Sequence, residues 1–126
     1  MSRVTPLTRI AVTTALGLSM ASGAHAGVAT LAYHHVSTET PPSTTTSPSL
    51  FRDQLALIEE LGVEPLSLTP ERIQKTLDGA DAENQHVALT FDDAYESVYT
   101  EAWPLLREKG IPLTVFVLSG SVGNNG

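Results

Sequence analysis

Apolar positions in this chain come in two kinds of block: short continuous runs, and runs spaced by three and four. The first continuous block, Ile10 to Ala21, is apolar or small at every position. It has the length of a signal-peptide hydrophobic region and is short for a membrane span. Arg3 and Arg9 precede or open it, no acid occurs before Glu39, and Ala24-His25-Ala26 follows as an A-x-A cleavage signal. Residues 1–26 therefore read as a secretory signal peptide, with a mature start near Gly27 and His25 as the variable middle of the cleavage site. An amphipathic or buried helix is the alternative, but this stretch has no helical polar face. The address predicts an exported protein, periplasmic or secreted, with no integral membrane span once the signal is removed.

The remaining pattern predicts alternating strands and helices. Gly27–Tyr33 is a short apolar run that suits a buried strand and ends at His34-His35. Residues 37–49 are almost all Ser, Thr and Pro, a composition that favours a long surface loop over a glycosylated stalk in so short a tract. Ser47 then suits an N-cap, with Pro48 in the first helical turn. Leu50, Phe51, Leu55, Ile58 and Leu61 form one helical stripe, and Gly62 is the stop. Val63–Leu68 has room for a short strand interrupted by Pro65. Thr69-Pro70 opens a second helix with Ile73 and Leu77 on one face, and residues 78–85 form a polar loop.

The clearest unit is the next one. His86–Phe91 is strand-like, with His86 expected as an ordinary, partly exposed first residue. Asp92-Asp93 stand at its C-terminal end. Glu96–Lys109 reads as helix, with Val98, Ala102, Leu105 and Leu106 inward and Gly110 as stop. Pro104 should kink or break that helix, because it lacks the N–H that would bond Thr100. Ile111–Leu118 is a second buried strand. Strand, helix, strand at this spacing is a βαβ unit and predicts an α/β fold with a parallel sheet.

Composition narrows the function. The chain has 126 residues, so one domain at most, with 7 basic and 14 acidic side chains and no cysteine. Without the first 26 residues, five basic residues face fourteen acidic ones, a net charge of −9. That balance argues against a nucleic-acid surface, which needs clustered Lys and Arg. The lack of Cys excludes disulfides, thiolate metal sites and a lipid anchor through Cys.

Candidate chemistry lies where parallel α/β folds put it, at the C-terminal ends of strands. His34-His35 and Asp92-Asp93 both occupy such ends and should open onto one rim. Neighbouring carboxylates repel unless a cation or a proton compensates them. A divalent ion does so directly: one Asp ligates while the other deprotonates a metal-bound water. The alternative is that one Asp caps the following helix and the other is solvated.

The string Leu89-Thr90-Phe91-Asp92-Asp93-Ala94-Tyr95 resembles the TFDDGY signature of the polysaccharide deacetylases, carbohydrate esterase family 4. Tyr33-His34-His35-Val36 is similar to the YHxV opening of secreted members, and Phe51–Leu55 to their FxxQL helix. Trp103-Pro104-Leu105-Leu106 and Gly110–Val117 are similar to their Pro-Leu-Leu helix and GIPxTxFV strand. The order of the pieces is nearest to periplasmic deacetylases of poly-β-1,6-N-acetylglucosamine. The resemblance implies the N-terminal portion of a distorted (β/α) barrel, occupying residues 27–126. It also implies removal of N-acetyl groups from an exported amino-sugar polysaccharide.

By the same resemblance Asp92 is the general base, His34 the acid that protonates the departing amine, and Asp93 a ligand of a divalent transition metal. Zinc comes first, with nickel or cobalt as alternatives. Tyr95 and His35 are weaker candidates for substrate binding, and Trp103 suits helix packing better than a sugar groove. Two departures stand out. Ala94 replaces the usual Gly, which is tolerable only where the backbone needs no positive φ. The family's H-x-x-x-H metal motif does not occur, since the four His are 25, 34, 35 and 86. The expectation is a deacetylase domain incomplete for catalysis and, with a strand edge uncovered, marginal in stability or prone to aggregate. A non-catalytic, carbohydrate-binding envelope protein is the second reading. A phosphoacceptor receiver domain is the third, disfavoured by the export signal and by the missing downstream phosphoacceptor Asp.

Overall fold

The computed structural model describes residues 27–79 and 84–123. The signal-peptide reading of residues 1–26 lies outside the described residues, as does the middle of the polar loop expected at 78–85. The elements run β1 (Gly27–Tyr33), β2 (His35–Val36), β3 (Thr45–Thr46), α1 (Pro48–Leu61), β4 (Glu64–Pro65), α2 (Pro70–Leu77) and β5 (Gln85–Asp92). A π-helical turn (Val98–Ala102), α3 (Trp103–Lys109) and β6 (Thr114–Phe116) follow.

β5 is the axis of a parallel sheet. β1 runs along one side of it, from Gly27 opposite Gln85 to Tyr33 opposite Phe91. Its other side is shared: β4 pairs at His86 and Val87, and β6 pairs from Thr90 to Asp92. This central position explains why His86 to Phe91 are all buried, a run continuous in apolar character because both faces are covered. β1 is a strand as expected, but not a buried one. Ala29 to Ala32 are exposed and only Tyr33 is buried, because among the described residues β1 pairs with β5 alone.

Local signals placed the helices. Ser47 Oγ accepts the Leu50 N–H at 3.2 Å, Pro48 sits in the first turn, and Gly62 closes α1 at φ 64. Phe51, Leu55 and Ile58 form its inner stripe, while Leu50 and Leu61 at its ends stay exposed. α2 is capped by Thr69, whose Oγ1 accepts from Arg72 N–H. Its expected apolar face is not covered: Ile73 and Leu77 are exposed beside an open groove of about 560 Å³ against β1. Helical period alone does not say whether a stripe finds a partner.

Pro104 breaks the last helix as its chemistry requires. The Trp103 N–H donates to Val98 O, five residues back, so the chain widens into a π-turn just ahead of Pro104, which sits in the first turn of α3. The strand expected over Ile111–Leu118 shortens to Thr114–Phe116, and Val115 to Leu118 are exposed. The Ser/Thr/Pro tract is a loop tied at its base, where β2 pairs in parallel with β3.

One core joins these pieces: Tyr33, Val36, Phe51, Leu55, Ile58, Val87, Leu89, Phe91, Val98, Ala102, Leu106 and Ile111. Tyr33 stacks on Phe91 and meets Phe51 edge-on, both at 5.2 Å between centroids. Its hydroxyl donates to Gln54 Oε1 at 3.0 Å. Burial pushes the Tyr33 phenol above its usual value near 10, because the phenolate is the form that loses solvation. No helix among the described residues is long and apolar enough to cross a membrane.

Candidate active site

The C-terminal ends of β1 and β5 lie side by side, and register decides what meets there. Tyr33 pairs with Phe91, so the next residues, His34 and Asp92, stand across from each other. His34 Nε2 lies 3.7 Å from Asp92 Oδ2, with both side chains 39% exposed. The two side chains face each other across that gap, within reach of solvent and of a ligand arriving at the rim.

The chain must turn sharply after Asp92 to start the next helix. It does so through two successive residues with positive φ, Asp93 at 67° and Ala94 at 53°. Asp tolerates this region; Ala does so at a cost of about 1 kcal/mol. The position where the family's Gly would stand therefore does demand a left-handed backbone, and Ala94 carries strain there. No side chain caps the helical segment that follows, whose first link is Val98 N–H to Tyr95 O at 2.9 Å. The reading in which one of the two acids serves as a helix cap thus finds no support.

Two further contacts join the strands' ends. His35 and Tyr95 stack with ring centroids 3.7 Å apart and planes at 24°. The Val36 N–H donates to Ser97 Oγ at 3.3 Å. Residues 34, 35 and 36 thus reach 92, 95 and 97 in turn. Sequence reasoning singled out His35 and Tyr95 separately but not as a pair, and it missed Ser97. A hydroxyl in a helix's first turn carries no mark of a partner 61 residues away.

His86 departs from expectation. It is 2% exposed rather than partly exposed, at the opposite end of β5 from Asp92. Arg72 Nη2 donates to its Nε2 at 3.3 Å, and Glu64 Oε2 lies 3.5 Å from its Nδ1. A guanidinium only donates, so Nε2 accepts and the ring proton sits on Nδ1, toward Glu64. The pairing of β4 with His86 brings Glu64 there. Trp103, on the exposed side of α3's first turn, lies beside Tyr99 and Leu113 rather than at the rim of Asp92.

A metal on Asp93, as the resemblance implies, needs companions. Among the described residues no three His, Asp or Glu side chains converge on one point. Zinc sites take three or four protein ligands, so these residues alone do not fit one.

Comparison with known proteins bears on the whole arrangement. Residues 79–126 match the polysaccharide deacetylase family. The chain is 33% identical over 85 residues to the poly-beta-1,6-N-acetyl-D-glucosamine N-deacetylase of Escherichia coli K12, covering 66% of this chain and 12% of that protein. The fold is similar to that of IcaB from Ammonifex degensii, with a TM-score of 0.67 and 32% identity over 78% of this chain and 41% of that one. It is also similar to the Streptococcus pyogenes deacetylase PplD, with a TM-score of 0.64 and 27% identity over 79% of this chain and 46% of that one. The chain thus spans about an eighth of the Escherichia coli relative and less than half of either solved chain. With its parallel β/α units arranged as in part of a (β/α) barrel and TFDD at the rim of the central strand, this chain is similar to the polysaccharide deacetylases, whose family model matches residues 79–126.

Proposed function

We propose that this chain carries the acid–base part of an N-deacetylase acting on an exported, poly-N-acetylglucosamine-like polysaccharide. The observation that carries the reading is the His34–Asp92 pair, 3.7 Å apart at the C-terminal ends of adjacent parallel strands. Its ion-paired form holds the acid protonated and the base ionised, the two states that amide hydrolysis needs at its start.

The chemistry follows from those states. Asp92 takes a proton from water as the oxygen adds to the N-acetyl carbonyl carbon. His34 gives its proton to the nitrogen as the carbon–nitrogen bond breaks, leaving acetate and a free amine on the sugar. Two hydrogen bonds through a water span more than 3.7 Å, so substrate and water must part His34 from Asp92. Half-exposed side chains at a rim can move that far; buried ones could not.

Asp93 is the residue proposed to help hold a divalent transition metal, zinc before nickel or cobalt, with its other ligands outside the described residues. His35 and Tyr95 are proposed to border the sugar groove. Export to the periplasm or cell exterior matches the signal-like residues 1–26 and the polymer substrate named for the Escherichia coli relative.

The test is acetate release from N-acetylglucosamine oligomers by the full chain, with and without added zinc or cobalt, beside Asp92→Asn. Release that falls by at least about a hundredfold in the variant is expected for loss of a general base. Equal release by both proteins refutes the assignment. Metal-independent binding of the oligomers without any acetate favours the non-catalytic carbohydrate-binding reading.

A further inference from the structure

We infer that His35 is a positioning residue: its ring, stacked on Tyr95, holds the strained Asp93–Ala94 turn closed and so keeps Asp92 opposite His34. The name "positioning" rests on the functional reading above; the mechanical claim does not.

Three observations support it. The turn has two consecutive left-handed residues, and at Ala94 that conformation is unfavourable in itself, so something outside the turn must maintain it. Tyr95 is the first residue beyond the turn, and rotation of Ala94 into an ordinary backbone region would swing it away. Its ring lies flat on His35 at 3.7 Å, the closest ring pair among the described residues. The attraction of such a stack is of the same order as the left-handed penalty of one alanine, so removing it tips the balance.

The clamp also has a firm base. His35 is paired through β2 to Thr45, and the next residue, Val36, is fully buried and donates its N–H to Ser97 Oγ. On the other side Asp92 pairs with Phe116, and the residue before it, Phe91, pairs with both Tyr33 and Val115. The turn is therefore held at both ends, and only its middle residues have freedom to relax. A glycine at 94 would need no clamp, which makes the stack a counterpart of this chain's own departure at that position.

The experiment is a double-mutant cycle on the full chain, read by NMR and by melting. In His35→Ala the carbon shifts and the amide–alpha coupling of Ala94 should leave left-handed values, and the His34–Asp92 side-chain proximity should weaken. His35→Phe, which keeps a flat ring, should preserve both. His35→Ala should lower Tm by roughly 4 °C in the parent and by less than half as much beside Ala94→Gly, since a merely structural contact would lose the same amount in either background. Unchanged Ala94 signals in His35→Ala, or equal Tm losses in both backgrounds, overturn the proposal. If His35→Ala does not fold, Tyr95→Leu removes the stack from the other side. Folding restored by Ala94→Gly in either variant then supports the clamp, and failure to restore it in both overturns it. None of these readouts needs acetate release, so a chain that never deacetylates leaves the test intact.

Discussion

β5 has a histidine–carboxylate pair at each end, and the two differ in almost everything except chemistry. At its start His86 faces Glu64 at 3.5 Å with its ring sealed from water and Arg72 on its far nitrogen. At its end Asp92 faces His34 at 3.7 Å, with both partners over a third exposed and a strained turn behind them. In the first pair the histidine ring is enclosed and held between Arg72 and Glu64, although the Glu64 side chain itself is exposed. The second has room to part and admit a third molecule. Side-chain type does not separate the two pairs; the cover over the histidine ring does, together with which end of a parallel strand the pair occupies, and the proposed acid–base role falls to the pair at the C-terminal end.

The contrast can be broken most forcefully at the centre of β5. Leu89→Ala removes a fully buried side chain between the two pairs and should cost about 3 kcal/mol or more. Both ends should be lost together, and urea unfolding followed by far-ultraviolet circular dichroism would show no cooperative transition. Survival of a folded rim in that variant would mean the two ends are independent units.

His86→Ala should come next. It removes one partner of Arg72 and opens a hole beneath the sheet, for a loss of about 2 kcal/mol in urea denaturation. Tyr33→Phe is smaller, about 1 kcal/mol from the lost bond to Gln54, and it has a pH signature. Because burial raises the phenol of folded Tyr33, the unfolded chain ionises first on the alkaline side. The stability due to the protonated phenol is full below the usual tyrosine value and is lost as pH rises through the folded one. The phenylalanine variant should therefore show a shallower fall in stability above about pH 10 than the parent. The smallest effect on stability is expected at the proposed acid–base end: His34→Ala should change it by less than about 0.5 kcal/mol, since exposed ion pairs contribute little. The same substitution should abolish acetate release, and a large stability loss without an activity change would reverse the assignment of the two ends.

Much of this molecule is written in short-range signals. Ser47 before Pro48, Thr69 before Pro70, the glycines at 62 and 110 and the ring of Pro104 each act on backbone within a few residues, so the helices and an irregularity at Pro104 could be read from the chain alone, though not that it would be a π-turn. The apolar block His86–Phe91 declared a strand covered on both faces, and Asp92-Asp93 at its end declared a rim.

What the chain could not state is which neighbour each element would find. Ile73 and Leu77 share a helix face yet stay uncovered, β1 and β6 are strands with one partner each among the described residues, and His86 is buried because β4 sets Glu64 beside it. The 3.7 Å approach of His34 to Asp92, the His35–Tyr95 stack and the left-handed Ala94 come from parallel register between segments some sixty residues apart. Capping and periodicity are properties of consecutive residues, whereas register, burial and side-chain proximity arise only when distant segments pack, so the residue types at the site were legible and their geometry was not.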